Sequence, residues 1–114
     1  MTMETQLDRS IGAQSSVLFD LAESSFPAEA SVLAAARRIV LVGTGSSYNA
    51  ARLAAWQFRR RGVEAVAISS ADQGRWEPPA RPGDAVVVIS HTGRSAYSAR
   101  AREDAVAAGV PLVS

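Results

Sequence analysis

Short unbroken aliphatic runs alternate along this chain with stretches whose apolar positions recur at three- and four-residue steps, and that alternation predicts the order of elements. Residues 39–42 read Ile-Val-Leu-Val, the pattern of a parallel strand covered on both faces. Residues 63–68 form a second strand, and residues 84–90 (DAVVVIS) a third whose continuous apolar stretch again implies burial. Residues 110–113 open a fourth. Between the first two strands, residues 48–61 form an amphipathic helix in which Ala50 or Ala51, Ala54 and Phe58 share a stripe. A further helix, from Arg94 or Ser95 to Ala108, carries Tyr97, Ala101, Ala105 and Ala108 on one face, with Gly109 as its stop signal. Upstream, residues 13–23 place Val17, Leu18 and Leu21 at helical spacing, with Ser15 or Ser16 as cap. Residues 27–37 repeat the idea, with Pro27 in the first turn and Val32, Leu33 and Ala36 as the stripe. Residues 1–12 are polar and weakly patterned, and are expected to be a frayed lead-in with at most a short helix.

The reading is therefore an α/β chain with a helical lead-in over residues 1–37 and a parallel-sheet unit over residues 38–114. The fourth strand has no turn or helix behind it, so the chain is expected to be a fragment of a longer one, ending in that strand. Residues 69–83 are rich in Pro, Gly and charge, and an insertion of that kind, here with Asp72, Arg75, Trp76 and Glu77, can line a site at the strand ends.

Two strand ends carry the candidate chemistry. After the first strand, Gly43 and Gly45 permit a tight turn, and Ser46, Ser47 and Asn49 offer hydroxyls and an amide where the helix begins. Free amides and the positive dipole end of such a helix favour a phosphate or carboxylate. Ser90-His91-Thr92-Gly93-Arg94-Ser95 repeats the design after the third strand. In open α/β sheets ligands sit beyond the carboxyl ends of the strands, so two hydroxyl-rich turns on neighbouring strands converge on one anion.

Composition narrows the chemistry. There is no lysine, because all 12 basic residues other than His91 are arginine, and this removes Schiff-base catalysis. Without cysteine there is no disulfide framework, thiolate nucleophile or cysteine zinc site, and a single histidine builds no metal site. No cofactor is implied. A net charge of +1 recruits neither nucleic acid nor an anionic membrane. No stretch approaches a membrane span, and Glu4 and Asp8 stand where a signal peptide would carry basic charge, so a cytoplasmic address is the default expectation. Arg59, Arg60 and Arg61 complement the dipole at a helix end before Gly62. Trp56 lies off the helix stripe, either covering a second surface such as a subunit contact or standing as a partly exposed aromatic.

In these two turns the chain resembles the sugar isomerase (SIS) domain family, the phosphosugar-binding fold found in the isomerase half of glucosamine-6-phosphate synthase. Gly45-Ser46-Ser47-Tyr48-Asn49-Ala50 is similar to that family's Gly-Thr-Ser-Tyr-His-Ala turn, and Ser90 to Ser95 is similar to its Ser-Gln-Ser-Gly-Glu-Thr turn. The resemblance runs over residues 39–114 and implies a flavodoxin-like three-layer parallel sheet, incomplete, with the first and third strands adjacent. It further implies Ser46, Ser47, Ser90, His91, Thr92 and Ser95 as phosphate ligands and a homodimer formed through SIS domains in the intact protein. His91 stands in place of Gln and Arg94 in place of Glu. Arg94 either reaches the phosphate as a charged donor or points into solvent; His91 either donates a hydrogen bond or serves in acid–base chemistry.

What the resemblance implies for chemistry is binding without catalysis within this chain, since the family's catalytic Glu, Lys and His come from a second SIS half or a partner subunit. A non-catalytic sugar-phosphate sensor is the alternative, although residues 1–37 show neither a basic surface nor a helix-turn-helix for DNA. A dinucleotide fold fits less well. Tyr48 occupies the third glycine position of its fingerprint, and the second strand ends in Ser69-Ser70 without the acidic ribose partner.

Overall fold

The computed structural model describes residues 3–72 and 80–114. Arg75, Trp76 and Glu77 of the expected site-lining insertion lie outside the described residues. The aliphatic run of the first strand becomes β1 (Arg38–Gly43), which is followed in the chain by β2 (Ala65–Ser69), β3 (Asp84–Val88) and β4 (Leu112–Val113). They form one four-stranded, all-parallel sheet in the order β2-β1-β3-β4. β1 is thus interior, with neighbours on both edges and side chains alternating between two covered faces.

That alternation divides the core. Ile39 and Leu41 pack with Ala51 and Ala55 of α3 (Ser46–Arg60), while Val40 and Val42 pack with Val86, Val88 and with Ala101 and Ala105 of α4 (Ala96–Ala108). The buried helix positions are alanines, which let each helix axis lie close to the sheet. The four aliphatic side chains of β1 are at most 2% exposed. Each contributes about 1.5–3 kcal/mol of transfer free energy, against about 1 kcal/mol for a helix cap, so the sheet and not the caps drives folding. Because the crossover through α3 leaves β1 on one face and that through α4 leaves β3 on the other, the switch point lies between β1 and β3. This is a flavodoxin-like α/β arrangement.

Several boundaries differ from the sequence expectation for physical reasons. α1 (Gln6–Glu23) starts well before residue 13, because Thr5 and Asp8 form a capping box: the Asp8 amide donates to the Thr5 hydroxyl at 3.0 Å and the Thr5 amide donates to the Asp8 carboxylate at 2.9 Å. Ser16, expected as a cap, instead donates its hydroxyl to the Ala13 carbonyl inside the helix. α2 (Pro27–Ala34) stops short of Arg37, whose amide is drawn off to the Gly83 carbonyl at 2.8 Å. On α4 the inward stripe is Ser98, Ala101 and Ala105, so Tyr97 and Ala108 face outward. On α3 the inward stripe is Ala51 and Ala55, with Ala54 and Phe58 half-buried beside it. Trp56 is half-exposed and stacks under the Arg60 guanidinium, 4.8 Å from its ring centroid. Among the described residues, no helix is long and apolar enough to cross a membrane.

The amino edge of the sheet is closed by an ion pair. Arg38 and Asp84 are the first residues of β1 and β3 and are partners in the parallel register. The Arg38 guanidinium donates Nε to one carboxylate oxygen at 2.9 Å and an η-nitrogen to the other at 2.7 Å, a bidentate pair on a nearly buried carboxylate. The Arg81 amide adds a third donor at 2.8 Å. The hydrogen bonds from Arg38 hold the Asp84 carboxyl below the usual carboxylate range against the opposing effect of burial, with the Arg81 amide adding to the lowering.

Gly43 ends β1 under a different constraint from the one its sequence position suggests. The turn's left-handed residue is Gly45, at φ 61°, whereas a Cβ on Gly43 would sit 2.6 Å from the carbonyl carbon and oxygen of Ser47. Gly43 is therefore needed for clearance, since its neighbour is helix backbone that cannot rotate away.

Three substitutions test this account. Asp84→Asn is expected to destabilise the chain by about 2 kcal/mol in chemical denaturation at neutral pH. A carboxyl whose folded pKa is lowered contributes fully above its unfolded value of about 3.9 and loses that contribution as pH falls through the folded value. The parent's stability is accordingly expected to fall more steeply than the variant's below about pH 4. Gly43→Ala should cost about 2–4 kcal/mol through displacement of α3. Gly12→Ala, on α1 with open space around it, should be neutral or stabilising by up to about 1 kcal/mol.

Candidate functional site

Both hydroxyl-rich turns emerge at the carboxyl edge of the sheet from adjacent strands. Val42 pairs with Val88, and the Ile89 amide donates to the Val42 carbonyl at 2.9 Å, so β1 and β3 remain in register up to the point where the turns begin. Ser46 and Ser47 thus stand on one side of the switch point and residues 90–95 on the other.

The first turn leaves its helix end open. α1 and α4 are capped by the side chains of Thr5 and Ser95, but the cap residue of α3 is Gly45, which has no side chain to accept from the first amides of the helix. The Ser47 amide turns back to the Thr44 carbonyl at 3.2 Å and the Asn49 amide reaches the Gly45 carbonyl. Among the described residues, the Ser46 amide and the Ser46 and Ser47 hydroxyls have no hydrogen-bond partner within the chain. The turn is braced from β2: the Ser70 amide donates to the Gly43 carbonyl at 2.9 Å, and the Thr44 and Ser70 hydroxyls are hydrogen-bonded to each other. Ser70 is 4% exposed, so this bond is held away from water.

The second turn is internally bonded. The Gly93 amide donates to the Ser90 hydroxyl oxygen at 2.9 Å, and the Arg94 amide donates to the Thr92 hydroxyl oxygen at 3.3 Å. Gly93 takes φ 69°, and the Arg102 guanidinium, reaching back from α4, donates to its carbonyl at 2.9 Å. Ser95 accepts the Ser98 amide at 3.0 Å and donates its own proton to the Ser98 hydroxyl at 2.9 Å, making it the cap of α4. His91, Thr92, Gly93, Arg94 and Ser95 are exposed and Ser90 is half-buried. The His91 and Arg94 side chains form no hydrogen bond or ion pair among the described residues.

The two turns carry amide, hydroxyl, imidazole and guanidinium donors at the same edge of the sheet, a set of groups suited to an anion. No group of His, Cys, Asp and Glu suited to a metal ion occurs among the described residues. Sequence reasoning missed Thr44, Ser70 and Arg102. Their role is to fix the turns, and the signal for it is tertiary: Ser70 reads as an ordinary strand end until its burial and its Thr44 partner are seen.

The larger grooves among the described residues lie elsewhere. One of about 550 Å³ runs between α2 and the carboxyl end of α3 past Leu33, Phe58 and Val63. Another of about 580 Å³ lies along the outer side of α3 at Arg52, Trp56 and the β2 edge, reaching the first turn only through Tyr48 and Asn49.

Comparison with curated proteins gives no match. A family model for the SIS domain matches residues 32–114, which span the whole sheet, both crossovers and both turns. With that match over most of its length, on a parallel sheet whose switch point carries the two turns, the chain belongs to the SIS domain family.

Proposed function

We propose that the crevice between the two turns binds the phosphate of a hexose or hexosamine phosphate, as part of a sugar-phosphate isomerase or aminotransferase of the glucosamine-6-phosphate synthase type. Phosphosugar binding is the general function of the family. The observation that carries its placement is the open start of α3: alone among the helices bordering the crevice, it lacks a side-chain cap, and its first-turn serines have no partner in the chain among the described residues. A phosphate oxygen there completes the cap, accepting from the Ser46 amide and the Ser46 and Ser47 hydroxyls, with the helix dipole favouring its charge.

The second turn closes the other side. Ser90 and Thr92 use lone pairs to hold the Gly93 and Arg94 amides, which leaves their hydroxyl protons for phosphate. Arg94 and His91 lie on the exposed rim, where a guanidinium can add a charge-assisted bond and an imidazole a further donor. Ser95 contributes through the cap that starts α4 beside the site.

The proposed residues are hydroxyls, a guanidinium and an imidazole, and of these the His91 imidazole alone has chemistry suited to moving a proton between sugar carbons. A second reading, a sugar-phosphate sensor that binds without turnover, uses the same hydroxyl and guanidinium contacts.

Isothermal titration of the chain with glucosamine 6-phosphate and fructose 6-phosphate tests the site. Ser47→Ala is expected to weaken binding about tenfold with little change in stability, because its hydroxyl has no structural bond to lose. Ser90→Ala is expected to weaken binding at least as much and also to loosen the turn, since the Gly93 amide loses its acceptor. Equal affinity of both variants and the parent, or no binding of either sugar phosphate, would sink the proposal.

A further inference from the structure

Around the second turn the chain carries more positive charge than a single phosphate needs. The chain as a whole is nearly neutral, at +1, but its charges are segregated: residues 30–63 and 85–102 contain no aspartate or glutamate. Both turns fall within those stretches, and neither α3 nor α4 has an acidic residue in its first turn. Asp72 follows β2, which lies on the side of β1 away from β3 and its turn.

Two arginines belong to the second turn. Arg102, half-buried on α4, donates one η-nitrogen to the Gly93 carbonyl at 2.9 Å, and its other N–H groups have no partner among the described residues. Its guanidinium is therefore held against the turn with most of its donors unused. Arg94 follows Gly93 directly and is exposed, and its side chain forms no hydrogen bond or ion pair among the described residues. Arg38 shows the contrast, since its charge is met by both oxygens of Asp84.

Magnitudes show the imbalance. A phosphomonoester carries about −1.5 to −2 charges at neutral pH. The open start of α3 supplies about +0.5, and each guanidinium adds a full charge that no ordinary pH removes. With both arginines engaged, a single phosphate leaves on the order of half to one positive charge unmet.

We propose that the ligand is a phosphosugar bearing a second anionic group, a carboxylate or a further phosphate, and that Arg94 and Arg102 form the subsite for that group. This rests on the phosphate placement proposed above. A planar guanidinium presents parallel N–H donors that match the paired oxygens of either group, whereas a sugar hydroxyl offers one oxygen and no charge. Arg102 is positioned in advance by its bond to Gly93, so little side-chain entropy is lost on binding.

Isothermal titration with glucose 6-phosphate, 6-phosphogluconate and fructose 1,6-bisphosphate, at about 0.15 M salt to screen long-range attraction, separates this subsite from the phosphate site itself. At least one of the two doubly anionic ligands is expected to bind about tenfold or more tightly than glucose 6-phosphate, the increment of a charge-assisted contact. The tighter of the two identifies the second group as carboxylate or phosphate. In Arg94→Gln and in Arg102→Gln the ratio of those affinities should fall at least about threefold. An arginine that only touches the shared phosphate, or only braces the turn, weakens all three ligands together and leaves the ratio in place. Equal affinities for the three ligands, or a ratio that survives either substitution, overturns the second subsite and leaves the phosphate site standing. If none of the three binds, the phosphate site fails and the subsite fails with it.

Discussion

The backbone of α3 lies so close to the end of β1 that position 43 has no room for a single methyl group. Much of the site depends on that contact. It fixes where the first turn of the helix stands relative to the strand that the whole sheet is built around. It also leaves residues 44 and 45 to reverse the chain in the shortest possible span, with the left-handed geometry assigned to Gly45. The result is a helix amino end held at the carboxyl edge of the sheet with no residue left over to cap it. Elsewhere in the chain the same problem is solved by Thr5 and Ser95; here the compactness of the turn removes that solution.

The opposite edge of the same two strands supplies the complementary constraint. A parallel pair that slipped by one residue would exchange the two faces of β1, sending Val40 and Val42 toward α3 and Ile39 and Leu41 toward α4. Hydrophobicity alone penalises this weakly, because every one of those residues is apolar and both faces are covered. The bidentate Arg38–Asp84 pair adds its hydrogen bonds to the observed register at the amino edge. Register set at the amino edge is transmitted along the strands to Val42 and Val88, and so fixes how the two turns face each other.

The sheet was legible in the sequence because its signal is local: aliphatic runs at residues 39–42 and 84–90 and glycines at the ends of helices report burial and termination directly. The helix faces were read less well. On α4 the spacing puts Tyr97 on one face with Ala101 and Ala105, yet the buried neighbour is Ser98, which reads as polar but is satisfied by the cap residue Ser95. The start of α1 was missed because residues 1–12 have few apolar positions, and the Thr5–Asp8 capping box extends the helix without them. At the site, the seven residues named from sequence all fall on the two turns at the switch point. The braces that hold those turns, Thr44 with Ser70 and Arg102 with Gly93, join segments separated in the chain and have no local signature.

At the proposed phosphate site the two turns have unequal roles. In the second turn, Ser90 and Thr92 accept amides through their oxygens, and an oxygen polarised by an incoming donor gives a better O–H donor in return. Their oxygens are held before any ligand arrives, so on the proposed reading less rotamer entropy is lost when an anion accepts from these hydroxyls. Ser46 and Ser47 have no such tether among the described residues, and their hydroxyls must be ordered by the ligand itself, at a side-chain entropy cost that the second turn avoids. What the first turn supplies in exchange is fixed backbone: an unpaired amide and the dipole end of a 15-residue helix, which need no reorganisation. On the proposed reading, directional selectivity comes from the tethered hydroxyls of the turn after β3, and attraction for negative charge from the open end of α3.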